Sequence, residues 1–150
     1  MSDEPVEYIL KDFPGTRYYP RFKLTTWHPQ GILDEALADK VIAFIESEEY
    51  IQDAPFDRYT DFSGISEIRV SFEYILETAR HRSFIRQPVK SAFFGDNPAT
   101  FEVAQLYAGL MSDAIMIRVQ SFSDRKAAGE WLEVPPTVLE PSARDPLNRK

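Results

Sequence analysis

A chain of 150 residues that is 43% hydrophobic and 27% charged, with eleven Phe, seven Tyr and two Trp, has the makings of one globular domain with a real core, and that composition excludes disorder along its whole length. A net charge of −7 disfavours docking on nucleic-acid phosphates or anionic lipid. The lack of cysteine excludes disulfides, thiol catalysis and cysteine-held zinc, and it fits a reducing cytoplasm.

Residues 1–17, with Pro5, Pro14, Gly15 and scattered charge, read as an extended N-terminal arm whose Val6, Tyr8, Ile9, Leu10 and Phe13 pack on the domain or a neighbour. The acidic start does not look like a signal peptide. Tyr18-Tyr19 and Phe22 to Trp27 read as two strands joined at Pro20-Arg21, and His28 to Gly31 as a loop. Asp34 caps a helix running to about Tyr50, with Leu33, Leu37, Val41, Phe44 and Ile45 on one buried stripe. Its Val41 to Ile45 is the longest compact apolar run, too short to cross a bilayer, so no integral membrane segment is expected.

Phe56 to Thr60 reads as a strand and Asp61-Phe62-Ser63-Gly64 as a turn. Ile65 to Val70 fits a loop, a short strand or an extra turn equally well. Ser71 caps a helix to about Arg82 with Phe72, Ile75, Leu76 and Ala79 on one face, and with Arg80, His81 and Arg82 at its negative end. Val89 to Phe94 is a strand. Gly95-Asp96-Asn97-Pro98 then makes a turn, with Asn97 as cap and Pro98 at the first helical position. The helix that follows runs to about Met111 and buries Phe101, Ala104, Ala108 and Met111. Ile115 to Val119 is a strand, and Ser123 caps a last helix containing Ala127, Ala128, Trp131 and Leu132. The domain proper is expected to span 18–134, with 135–150 a flexible tail.

The element order β-β-α-β-α-β-α-β-α predicts an α/β fold: a mixed, mostly parallel five-stranded sheet with about four helices, because crossovers make neighbouring strands parallel. Three stretches carry a family resemblance over about Arg17 to Val134. They are Thr60-Asp61-Phe62-Ser63-Gly64-Ile65-Ser66-Glu67-Ile68, then Gly95-Asp96-Asn97-Pro98-Ala99-Thr100-Phe101 through Ala104 and Tyr107, then Ala127-Ala128-Gly129-Glu130-Trp131-Leu132. In this order they resemble the SpoIIAA-like proteins, relatives of the STAS domain of anti-sigma-factor antagonists and similar also to Sec14-type lipid-transfer domains. The resemblance implies a bacterial regulatory or protein-interaction module. It also implies a phosphorylated serine opening the helix after the turn. The matching position here is Val70, with Ser71 beside it, in Arg69-Val70-Ser71-Phe72, where the antagonists carry Asp-Ser-Ser-Gly.

Both turns should lie at the C-terminal edge of the parallel sheet, where ligands of open α/β folds tend to bind. Asp61, Phe62, Ser63, Gly64, Asp96 and Asn97 are the candidate ligand or partner contacts, against the alternative that they are ordinary turn and cap residues. A docking patch around Phe62, Ser63 and Ile65 would suit a protein partner. Eleven Phe and free ends would suit a pocket for a small apolar or amphipathic ligand. An enzyme, such as a hydrolase using Ser63 with His28 and Asp61, is the weakest reading, because no Gly-x-Ser-x-Gly elbow is present. No catalytic residue, metal site or cofactor is therefore assigned. Arg80, Arg82, Arg86 and Lys90 form a basic stretch suited either to steering an acidic partner or to local helix-end pairing. The arm and the aromatic first strands suit a homodimer.

Overall fold

The computed structural model of the chain describes residues 6–7, 15–51, 55–85 and 87–141. Strands β1 (Val6–Glu7) and β2 (Thr16–Tyr19) pair antiparallel, and β2 turns back into β3 (Leu24–Trp27). The turn is closed by Phe22 N–H donating to the Tyr19 carbonyl at 3.1 Å, with Lys23 in the left-handed region at φ 49°. Strand β4 (Gly31–Asp34) then feeds helix α1 (Glu35–Ile51), where Asp34 Oδ1 accepts the Leu37 N–H at 2.8 Å, the expected cap.

Strand β5 (Asp57–Asp61), a single 3-10 turn (Phe62–Gly64), strand β6 (Ile65–Arg69) and helix α2 (Phe72–Arg82) follow. Strand β7 (Val89–Phe94) leads to helix α3 (Pro98–Leu110), and strand β8 (Ile117–Phe122) to helix α4 (Arg125–Leu132). A last 3-10 turn (Pro136–Leu139) closes the described chain.

The main sheet has the order β1-β2-β3-β5-β7-β8, with β3, β5, β7 and β8 parallel. It is the expected mixed, mostly parallel sheet with four helices. The five expected strands are β2, β3, β5, β7 and β8. The sixth, β1, lies within the stretch read as an arm and is too short to leave a periodic signal. The other arm residues named above, Tyr8 to Phe13, lie outside the described residues. A second, two-stranded parallel sheet pairs β4 with β6. This resolves Ile65 to Val70 as mainly strand, and it replaces part of the loop expected after His28.

Crossovers of one hand between parallel strands laid down in sequence put their helices on one face. Helices α1, α2 and α3 accordingly cover the face carrying Thr25, Trp27, Arg58, Thr60, Ser91 and Phe93. The opposite face presents Leu24, Tyr59, Ala92, Phe94 and Phe122 to Ala128 and Leu132 of α4 and to Val134 and Leu139 beyond it.

Several local expectations are corrected. Strand β8 begins at Ile117, paired with Val89, and Ile115 is 91% exposed in the turn before it. Helix α2 buries Ile75, Ala79 and Arg82, a stripe rotated away from Phe72, which is 53% exposed. Helix α3 buries Thr100 and Ala104, leaving Phe101 and Ala108 half-buried. The cap of α4 is Asp124, whose Oδ1 accepts the Lys126 N–H at 3.1 Å, and not Ser123. The stretch just past Val134 is not loose: Leu139 is wholly buried among core residues, which holds Pro136–Leu139 against the sheet. Residues 142–150 of the expected tail lie outside the described residues.

Candidate functional site

The two turns singled out in the sequence adjoin. Asp61 ends β5 directly opposite Phe94, which ends β7, so the turns after them share the C-terminal edge of the sheet. What they present there differs from the expectation. Asp61 is fully buried and internally committed. Its Oδ2 accepts the Tyr59 hydroxyl at 2.7 Å and Arg125 Nε at 2.8 Å, and its Oδ1 accepts the Ser63 backbone N–H at 2.9 Å. Arg125 Nη2 also donates to Ser63 Oγ at 3.0 Å.

Burial alone would push the Asp61 carboxyl up. The hydrogen bonds from Arg125, Ser63 and Tyr59 and the nearby His28 ring outweigh it and hold the carboxyl below its usual range. Burial and the Asp61 charge push the Tyr59 hydroxyl far up, so it stays a neutral donor.

Phe62 is 5% exposed and packs with Leu33, Ile65 and Ala104. The docking patch expected around Phe62, Ser63 and Ile65 is thus not a surface, because two of its three side chains point into the core. Ser63 and Gly64 are half-buried, and the Gln30 side chain fills the space where a side chain at Gly64 would stand. Asp96 and Asn97 are exposed. Asn97 is the helix cap: its Oδ1 accepts the Thr100 N–H at 3.1 Å. Ser71, the phosphorylation candidate, is exposed and caps α2, its Oγ accepting the Tyr74 N–H at 3.0 Å.

The members of the hydrolase grouping are engaged with other partners. His28 Nε2 lies 2.8 Å from the Leu139 carbonyl, which can only accept, so this ring nitrogen carries the proton. It stands 3.8 Å from Asp61 Oδ2, while the Ser63 hydroxyl is engaged by Arg125. Among the described residues no three His, Asp or Glu side chains gather as a metal site. No helix among them is long and apolar enough to cross a membrane. The basic stretch makes contacts within the chain, one local and two long-range. Arg80 pairs with Glu77, Arg82 with Glu46 at 3.3 Å, and Lys90 Nζ donates to the Trp131 carbonyl at 2.8 Å. Arg86 lies outside the described residues.

The feature missed in the sequence is a cavity on the other side of Phe62. It measures about 160 Å³ and lies between the sheet and helices α1, α2 and α3. Its floor is the alternating set Thr25 and Trp27 of β3, Arg58 and Thr60 of β5, and Ser91 and Phe93 of β7. Val41, Ile42 and Ile45 of α1, Tyr74 and Ile75 of α2, and Val103 and Ala104 of α3 form its walls.

Trp27 is buried by facing this cavity, under a helix of its own chain. The Tyr74 hydroxyl bonds Asp39 Oδ1, tying α2 to α1; burial and then Asp39 push that hydroxyl above the usual tyrosine range. One signal was present in the sequence. Parallel strands covered on both faces normally read as continuous apolar runs, yet Thr25, Arg58, Thr60 and Ser91 interrupt these at every second position.

No family model and no curated protein matches the chain. Among solved structures it is similar to an uncharacterized protein of the DUF3478 family from Shewanella loihica PV-4, described as having a SpoIIAA-like fold. The two are 12% identical over 86% of this chain and 90% of that one, with a TM-score of 0.48.

Proposed function

We propose that the chain is a non-enzymatic binding module that holds a small apolar or amphipathic ligand between its sheet and its three covering helices. The cavity carries this reading. Hydrophobic and aromatic side chains dominate its lining, as they do in small-molecule pockets. Close-packed interiors leave few voids larger than a water molecule. Of the two non-enzymatic readings, ligand holding is favoured over docking of a protein at the strand-end turn, because Asp61 and Phe62 are spent on internal contacts.

Native mass spectrometry of freshly purified protein tests this directly. The expected result is a mass excess over the bare chain that organic extraction removes and that Ala104→Trp, which fills the cavity, abolishes. Extracted protein should also bind an environment-sensitive apolar dye saturably, and the Ala104→Trp variant should not. A bare mass together with no saturable dye binding would retire the proposal.

A further inference from the structure

The cavity beneath the three helices is small, and the surface it presents is mostly apolar. At about 160 Å³ it lies below the range of about 300–1,000 Å³ that drug-sized ligands occupy. It is close to the size, about 150 Å³, at which a dry apolar cavity takes a benzene ring. Aromatic side chains contribute to its lining. The Phe93 ring centre stands 5.9 Å from that of Phe62 and 5.4 Å from that of Tyr107, the latter edge to face, and Trp27 lines the same floor. Rings so placed offer a guest ring the edge-to-face and offset contacts that aromatic pairs prefer.

A charge would find no counterpart inside. Among the described residues that line the cavity there is no Asp or Glu. Its two arginines are engaged within the chain. Arg58 lies 4.5 Å over the Phe56 ring with its Nε and Nη1 buried, and Arg82 Nη1 contacts Glu46 at 3.3 Å. Both arginines make further interactions with other groups of the chain. The Thr25 hydroxyl oxygen is buried and not turned to the opening, and the Tyr74 hydroxyl is taken by Asp39. An ion entering this space would shed its water without gaining a partner, which is costly in an apolar site.

We infer that the ligand is a compact, uncharged ring compound about the size of a substituted benzene, seated against Trp27 and Phe93 and covered by Ile42 of α1 and Val103 of α3. This rests on the cavity being a ligand site, as proposed above. Burial of the ring's apolar surface drives binding, and contacts with the aromatic lining orient it.

The chain has two tryptophans, and they supply the test. Trp27 lines the cavity, whereas Trp131 packs on the sheet's other face. Their indole N–H signals in a proton–nitrogen correlation spectrum of the full chain, assigned with Trp131→Phe, are a reporter and an internal control. Toluene is titrated beside benzoate and benzylammonium, which carry the same ring with a charge, and beside 1-octanol, which is about as hydrophobic but extended. Toluene should shift the Trp27 signal saturably and leave Trp131 unmoved. It should bind at least about tenfold tighter than each of the other three, given the cost of burying an unpaired charge and the limited room. Val103→Phe, which places a ring of the protein's own in the cavity, should abolish the toluene shift. Ile42→Phe, from another wall, gives the same test if Val103→Phe fails to fold.

Binding of benzoate or benzylammonium as tight as that of toluene would overturn the uncharged assignment. Binding of 1-octanol as tight as that of toluene would overturn the compact one. Either result leaves the cavity proposal standing. No saturable Trp27 shift with any of the four compounds would overturn the inference outright, and together with a bare mass and no dye binding it would take the cavity proposal with it.

Discussion

Arg125 Nε and Asp61 Oδ2 stand 2.8 Å apart, although 64 positions separate them in the sequence. The bond ties the end of a central strand to the first turn of α4. Asp61 is fully buried and Arg125 is only partly exposed, with its guanidinium also 4.6 Å over the Phe94 ring. Removing the arginine leaves a buried carboxylate with fewer partners. Arg125→Met is therefore expected to destabilise the fold by about 2–4 kcal/mol, read from urea unfolding at neutral pH. A loss below about 0.5 kcal/mol, the level of an exposed pair, would show that the bridge is incidental.

The same carboxylate sets an acid dependence. Its folded-state pKa is held below the ordinary Asp value of about 3.9. A lowered pKa means that the unfolded state binds the proton more readily. The contribution of Asp61 is thus complete above the unfolded value and is lost as pH falls through the folded one. Unfolding free energies measured from pH 6 downward should drop more steeply below about pH 4 for the natural chain than for Asp61→Asn, whose curve lacks this component. Parallel curves would contradict the assigned network.

Leu139 is the apolar anchor of the chain beyond α4, and its carbonyl accepts from His28. Leu139→Ala should cost about 2–5 kcal/mol, as for other wholly buried leucines. It should also increase proteolytic cleavage between residues 133 and 140. If the thermal midpoint were unchanged, the C-terminal segment would have to be dispensable to the core.

Ser71 serves α2 as a cap, and capping has a signature distinct from regulation. Ser71→Ala should cost about 1 kcal/mol, while Ser71→Asp should stay within about 0.5 kcal/mol of the natural chain, because aspartate caps as well as serine does. Both are read from denaturant midpoints. A Ser71→Asp variant that lost as much stability as Ser71→Ala would argue against the cap.

The part of this fold that local chemistry announces was legible at once. Asp34, Ser71 and Asn97 each sit one residue before a helix and each accept a backbone N–H three positions on, so the residue type and its place name the helix start directly. The alternation of strands with helices dictated parallel pairing. At β8 and α4 the reading slipped, by two positions and by one, because Ile115 and Ser123 satisfy the same local preferences as Ile117 and Asp124.

The chain by itself determined the fold class, the sheet's parallel core and the helix starts, because caps and periodicity are local and a helical crossover between strands makes them parallel. Only the tertiary structure decided what the conspicuous turn residues do. Asp61 was legible as a turn acid but became a buried counter-ion because α4, much later in the chain, brings Arg125 to it. The cavity was likewise not located by the sequence, beyond the polar interruptions in its strands. Its floor is one residue in two from three strands, and its walls come from three helices, so no window of sequence contains it.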